Sequence, residues 1–70
     1  MMDAKQRRHE IKLMARWLTE SGDLDSIEHS GSPSRYHMVM EGHWEMTLPP
    51  KEAHAYLSGA TDFQQSRRTR

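Results

Sequence analysis

Between Tyr36 and Leu48 the large apolar residues fall on every second position, and this alternation constrains the fold more than any other feature of the chain. Tyr36, Met38 and Met40 alternate with His37, Val39 and Glu41; past Gly42, Trp44, Met46 and Leu48 alternate with Glu45 and Thr47. A period of two sends neighbouring side chains to opposite sides of a pleated strand, so each half has one apolar and one polar face. The register follows from keeping those faces separate. A loop of Glu41-Gly42 alone would pair Met40 with His43 and mix them. A loop of Glu41-Gly42-His43 pairs Met40 with Trp44, Met38 with Met46 and Tyr36 with Leu48, which is the expected arrangement. It directs both Tyr36 and Trp44 toward the core.

A sheet with one apolar face must be covered, and the flanking segments supply helices. Asp3 to Glu20 reads as a helix with Asp3 as N-cap. Ile11, Met14, Ala15 and Leu18 follow helical spacing, Trp17 widens the stripe, and Ser21-Gly22 ends it. Leu24 to His29 is a weak strand candidate, and Ser30 to Ser34 is a loop by composition. Pro49-Pro50 stops the last strand, with Pro50 suited to the first position of a second helix. Ala53, Tyr56 and Leu57 face inward in that helix, Gly59 ends it, and residues 61–70 read as a basic flexible tail. The expected fold is α+β in the order α-β-β-β-α, a three-stranded antiparallel sheet with both helices on one face, in a single domain spanning 1–60.

Seventy residues bury only a modest core. Leu, Ile, Val and Phe are sparse, and six Met with two Trp supply much of the apolar volume. Disorder commonly joins low hydrophobicity to high net charge, and the net charge here is zero. With no Cys, disulfides, thiol catalysis and thiolate metal sites are excluded. No apolar run reaches the length of a membrane span, and the polar start of the chain does not read as a signal peptide. The expected setting is cytoplasmic, with no membrane association.

The charge is polarised. Lys5, Arg7, Arg8, Lys12 and Arg16 outnumber Asp3, Glu10 and Glu20 in the first helix, residues 21–34 carry Asp23, Asp25 and Glu28 with no Lys or Arg, and Arg67, Arg68 and Arg70 crowd the C-terminal end. Lys5, Arg8, Lys12 and Arg16 recur at three- and four-residue spacing and form one cationic stripe, suited to phosphates or to an acidic protein surface. As bare composition, the same stripe is the solvated side that any amphipathic helix needs.

The five His (His9, His29, His37, His43 and His54) lack the spacing of a metal site, so no metal and no cofactor is expected. His37 and His43 are expected on the polar sheet face near Glu41 and Glu45. Ser32 or Ser34 with a nearby His does not amount to a nucleophile, base and orienter, so catalysis is not expected. The partner-binding candidates are Lys5, Arg8, Lys12, Arg16, Trp17, Arg35, His37 and His43, with Arg67, Arg68 and Arg70 in the tail. Leu13 and Trp17 are candidate contacts for a homodimer.

The helix–three strands–helix order, with Gly31-Ser32 before the aromatic-bearing strand at Tyr36, resembles the small double-stranded-RNA-binding-like fold of HicA-type toxins over Lys12 to Leu57. That family places a catalytic His shortly after its Gly-Ser pair; here His37 lies beyond that place, so the resemblance implies the fold without the ribonuclease chemistry. The hairpin followed by Lys51-Glu52-Ala53-His54-Ala55-Tyr56-Leu57 is similar to the arm-type DNA-binding domains of phage integrases, although His and Glu stand where that family carries Arg and Lys. In size, absence of Cys and lean core the chain also resembles phage accessory proteins that inhibit host machines, anti-CRISPR proteins among them. The leading expectation is a non-enzymatic regulatory protein that binds and inhibits or redirects another protein. The alternative is a nucleic-acid-binding module using the basic stripe, Arg35 and the Arg tail.

Overall fold

The Asp3 carboxylate accepts the Gln6 amide at 2.7 Å, satisfying one of the free donors at the start of α1, Ala4–Ser21. At the other end Gly22 takes a left-handed φ of 89°. The Asp23 amide reaches back to the Leu18 carbonyl at 3.0 Å and the Gly22 amide to that of Thr19 at 3.2 Å. These two bonds close the last turn, and a glycine takes that φ without a Cβ clash.

The computed structural model describes residues 2–31 and 33–68, with only the backbone of Arg68. After α1 come β1 (Leu24–Gly31), β2 (Ser34–Met40), β3 (Glu45–Leu48) and α2 (Pro50–Arg68). The strands form one antiparallel sheet in the order β1-β2-β3, leaving β1 and β3 as edges. The expected α+β fold is the observed one. The hairpin register also holds: Tyr36 pairs with Leu48 and Met38 with Met46, and the Met40 amide donates to the Trp44 carbonyl at 2.9 Å. The expected loop at Ser30–Ser34 is tighter than its composition suggests, because Gly31 already pairs with Ser34.

β1 carries an irregularity that hides it in the sequence. Leu24 pairs with Met40 and Ser26 with Val39, so Asp25 is an extra residue in the ladder. This bulge shifts the parity, and Leu24 and Ile27, three apart, both reach the helix-covered face. The core joins Ile11, Ala15 and Leu18 of α1 to Leu24, Tyr36, Met38 and Met40 of the sheet and to Ala53 and Leu57 of α2. Full burial of one such large side chain is worth about 1.5–3 kcal/mol. α1 packs on β1, α2 on β2 and β3, and the helices on each other. Among the described residues no helix covers the opposite sheet face, which carries Ser26, Glu28, His37, Val39, Glu45 and Thr47.

Two expectations are corrected. The second helix does not end at Gly59: α2 continues to Arg68, so residues 61–68, expected as a basic flexible tail, are helical. A helical glycine costs only about 1 kcal/mol relative to alanine. Beyond it the Thr61 hydroxyl donates to the Leu57 carbonyl at 2.8 Å, Ala60 packs against the core, and Gln64 Nε2 donates to Asp23 Oδ1 at 2.8 Å. These contacts hold the extension. Arg70 lies outside the described residues. The second correction is Trp44: its side is the expected one, but it precedes β3 in the hairpin loop and lies 52% exposed, its ring meeting Tyr56 edge-on at 6.5 Å.

Candidate functional site

The cationic stripe lies on the flank of α1 that overhangs the β1 edge. At about 100° per residue, Lys5, Arg8, Lys12 and Arg16 share this flank, while Glu10 and Trp17 lie on the side toward α2. All four cations are exposed. Between them and β1 runs an open groove of about 600 Å³, whose floor is Ile11, Ala15, Ile27 and Tyr36 and whose rim holds Arg8, Lys12 and Arg16, with Glu20 at one end. A second hollow of about 420 Å³, lined also by Lys5 and Arg7, adjoins it at Arg8, His29 and Tyr36. Arg16 Nε lies 3.5 Å from Glu20 Oε1, an exposed i,i+4 pair that weakly ties down the last cation.

His29 stands where the two hollows meet. Its ring stacks on Tyr36 at 4.6 Å between centroids, and Nε2 shares a hydrogen bond with Ser34 Oγ at 2.8 Å. A hydroxyl–imidazole pair is the start of a nucleophilic site. Among the described residues no carboxylate is bonded to this ring to orient it, and the pair is exposed.

A different surface occupies the end of the molecule where α1 stops. Trp44, Phe63 and Arg67 border a cleft of about 290 Å³ floored by Leu18, Met40 and Ala60, with Asp23 and Glu41 beside it. Phe63 is 62% exposed, and the Arg67 guanidinium sits 5.8 Å above its ring. Trp and Arg are enriched among the residues that carry binding energy at protein interfaces, and Phe is enriched at such interfaces. Sequence reading missed Phe63 because it treated residues 61–70 as a tail. The usable signal was the lack of any proline after Pro50, with Tyr56, Ala60 and Phe63 keeping helical spacing.

The remaining candidates scatter. Arg35 is exposed on β2, on the open sheet face and away from the stripe. His37 lies on the same face, with Nε2 2.8 Å from Glu45 Oε1 and Nδ1 2.9 Å from Thr47 Oγ1. His43, in the β2–β3 loop, lies 3.5 Å from Asp25. Trp17 is half-buried against the core. Leu13 is exposed on α1. Arg67 joins the aromatic cleft, and the Arg68 side chain is not described. The structure thus brings Lys5, Arg8, Lys12 and Arg16 together and leaves Arg35, His37 and His43 elsewhere.

His54 Nε2 lies 2.8 Å from Glu10 Oε1 and ties α2 to α1. This bond, chiefly, holds the Glu10 carboxyl below its ordinary pKa, against an opposing desolvation effect, with Gln6 and the charges of His54 and His9 helping. Among the described residues no group of three or more His, Asp or Glu is placed to hold a metal ion. No described helix is long and apolar enough to cross a membrane. No family model, curated protein or solved structure compared with the chain matches it.

Proposed function

We propose that this chain is a non-enzymatic regulatory protein that binds another protein in the cytoplasm and blocks or redirects it, as phage accessory inhibitors such as anti-CRISPR proteins do. The supporting observation is the aromatic cleft: Trp44 and Phe63 expose large apolar rings on a molecule with few large apolar residues, and Arg67 stands beside them. Binding energy concentrates in such residues. The test is affinity capture from cells that carry the gene, comparing the wild-type chain with Trp44→Ala and Phe63→Ala. Each substitution is expected to lower partner affinity by more than about 1 kcal/mol while the circular dichroism spectrum stays unchanged. Unaltered capture by both variants overturns the reading, and so does recovery of nucleic acid without a stoichiometric protein.

A second reading, nucleic-acid binding, is favoured by one observation: Lys5, Arg8, Lys12 and Arg16 are exposed in line on one flank of α1. Phosphate contacts act largely as interchangeable charges. Removing these four one at a time then lowers affinity for DNA or RNA in similar, modest steps, with a steep salt dependence. One dominant position, or no gel shift at micromolar protein, removes this reading.

A further inference from the structure

We infer that the α1/β1 groove receives an extended acidic segment of the protein partner, added to the sheet as a fourth strand beside β1. The inference rests on the protein-binding reading and names what the second surface of the molecule takes. Three observations carry it.

The first is the free edge. Among the described residues β1 pairs only with β2, so the N–H and C=O groups of alternate residues face outward from its free edge, beside the groove that Ile27 and His29 help line. Such a row is a ready-made template for pairing with another peptide backbone. The second is charge. Arg8, Lys12 and Arg16 form the rim over an apolar floor of Ile11, Ala15 and Ile27. Glutamate side chains fit both, their methylenes on the floor and their carboxylates at the rim.

The third is spacing. Arg8 to Arg16 spans about 12 Å along the helix at about 1.5 Å per residue. Side chains on one face of a strand recur about every 6.7 Å, so acids at alternate positions i, i+2 and i+4 span about 13 Å. The cation ladder and an alternating acidic strand are nearly commensurate. Glu20 closes one end of the groove, so the acidic run stops short of it. A second copy of this chain is a poor occupant, because pairing β1 with β1 would set two cationic rims against each other.

The test uses the full chain and four probes: an eight-residue peptide alternating Thr and Glu, the same peptide with Gln for Glu, the Thr/Glu peptide N-methylated at alternate amides, and a single-stranded oligonucleotide of eight nucleotides. Binding is read by amide shifts in nitrogen-15 spectra. The Thr/Glu peptide is expected to shift amides of β1 and of α1 between Arg8 and Arg16, and to bind at least about tenfold tighter than the Gln form. N-methylation is expected to weaken it at least about tenfold. Lys12→Ala is expected to weaken it, and Lys51→Ala, at an exposed cation of α2 outside the groove, to leave it unchanged. Absence of β1 shifts, equal binding of the Gln peptide, or indifference to N-methylation overturns the added strand. If partner capture through Trp44 and Phe63 persists in that case, the protein-binding reading stands without it. Tighter binding of the oligonucleotide on the same flank, with capture unaffected by the aromatic substitutions, overturns both.

Discussion

The cationic groove and the aromatic cleft differ in how the chain builds them. The groove comes from one flank of α1 and the neighbouring strand edge, and its charges are spaced by the helix itself. The cleft gathers Leu18, Asp23, Met40, Trp44, Phe63 and Arg67 from α1, the turn after it, the hairpin and the far half of α2. The first survives as long as α1 is helical and lies on β1. The second exists only when the whole fold is closed. Charge can therefore be laid out locally, whereas an aromatic anchor in so small a molecule depends on tertiary packing.

The largest test of that contrast is Leu18→Ala. Leu18 is fully buried and floors the cleft. The loss is expected to be about 2–5 kcal/mol, read by urea denaturation, which is a large share of the stability of so small a domain. If the chain stays folded in mild conditions, the cleft should loosen while the amides of α1 from Arg7 to Lys12 remain protected. Equal loss of protection at both surfaces would break the contrast.

A smaller effect isolates the cleft. Asp23 accepts from Gln64 Nε2 and from Ser21 Oγ, the latter at 2.7 Å. Asp23→Ala removes the bond that fastens the extension of α2 and is expected to cost about 1–2 kcal/mol. Hydrogen exchange should quicken at residues 61–68 and stay unchanged along the stripe. Uniform quickening would show that the extension is not separately held.

The smallest effect lies outside both surfaces. Glu10 has a lowered pKa in the folded chain, chiefly through His54, so it favours folding when ionised. Its contribution is complete above the ordinary glutamate pKa and is lost as pH falls through the lowered folded value. Acid titration of Glu10→Gln should lack that step, and the wild-type curve should show it. Identical acid profiles would mean that the α1–α2 tie does not contribute to stability.

Much of this fold was legible because its signals are local. The alternation from Tyr36 to Leu48 set the hairpin register, and Asp3, Gly22 and Pro50 marked helix ends. β1 was faint because the bulge at Asp25 breaks its period of two, and a parity shift in sequence looks like no pattern at all. The extension of α2 was missed because Gly59 reads as a stop when nothing beyond it is known to pack. Its anchor, Asp23, lies far away in sequence. The cationic stripe was visible as spacing on one helix. The groove beneath it was not, since Ile27 and Tyr36 join it only through strand pairing. Trp44 was placed on the correct side but too deep, because alternation gives direction and not the extent of the covering helix.

The turn that presents Trp44 holds two successive residues at positive φ, Gly42 at 89° and His43 at 66°. Glycine takes such a value freely, and histidine is among the few side chains that do so with any frequency. The His43 amide closes the turn on the Met40 carbonyl at 3.0 Å. The indole is thus carried on a backbone already fixed before any encounter, and little freedom is left to surrender on association. Replacing His43 with a β-branched residue would strain that presentation while leaving the ring itself untouched, and under the proposed function the cost should appear as a shorter residence time on the proposed partner more than as slower arrival.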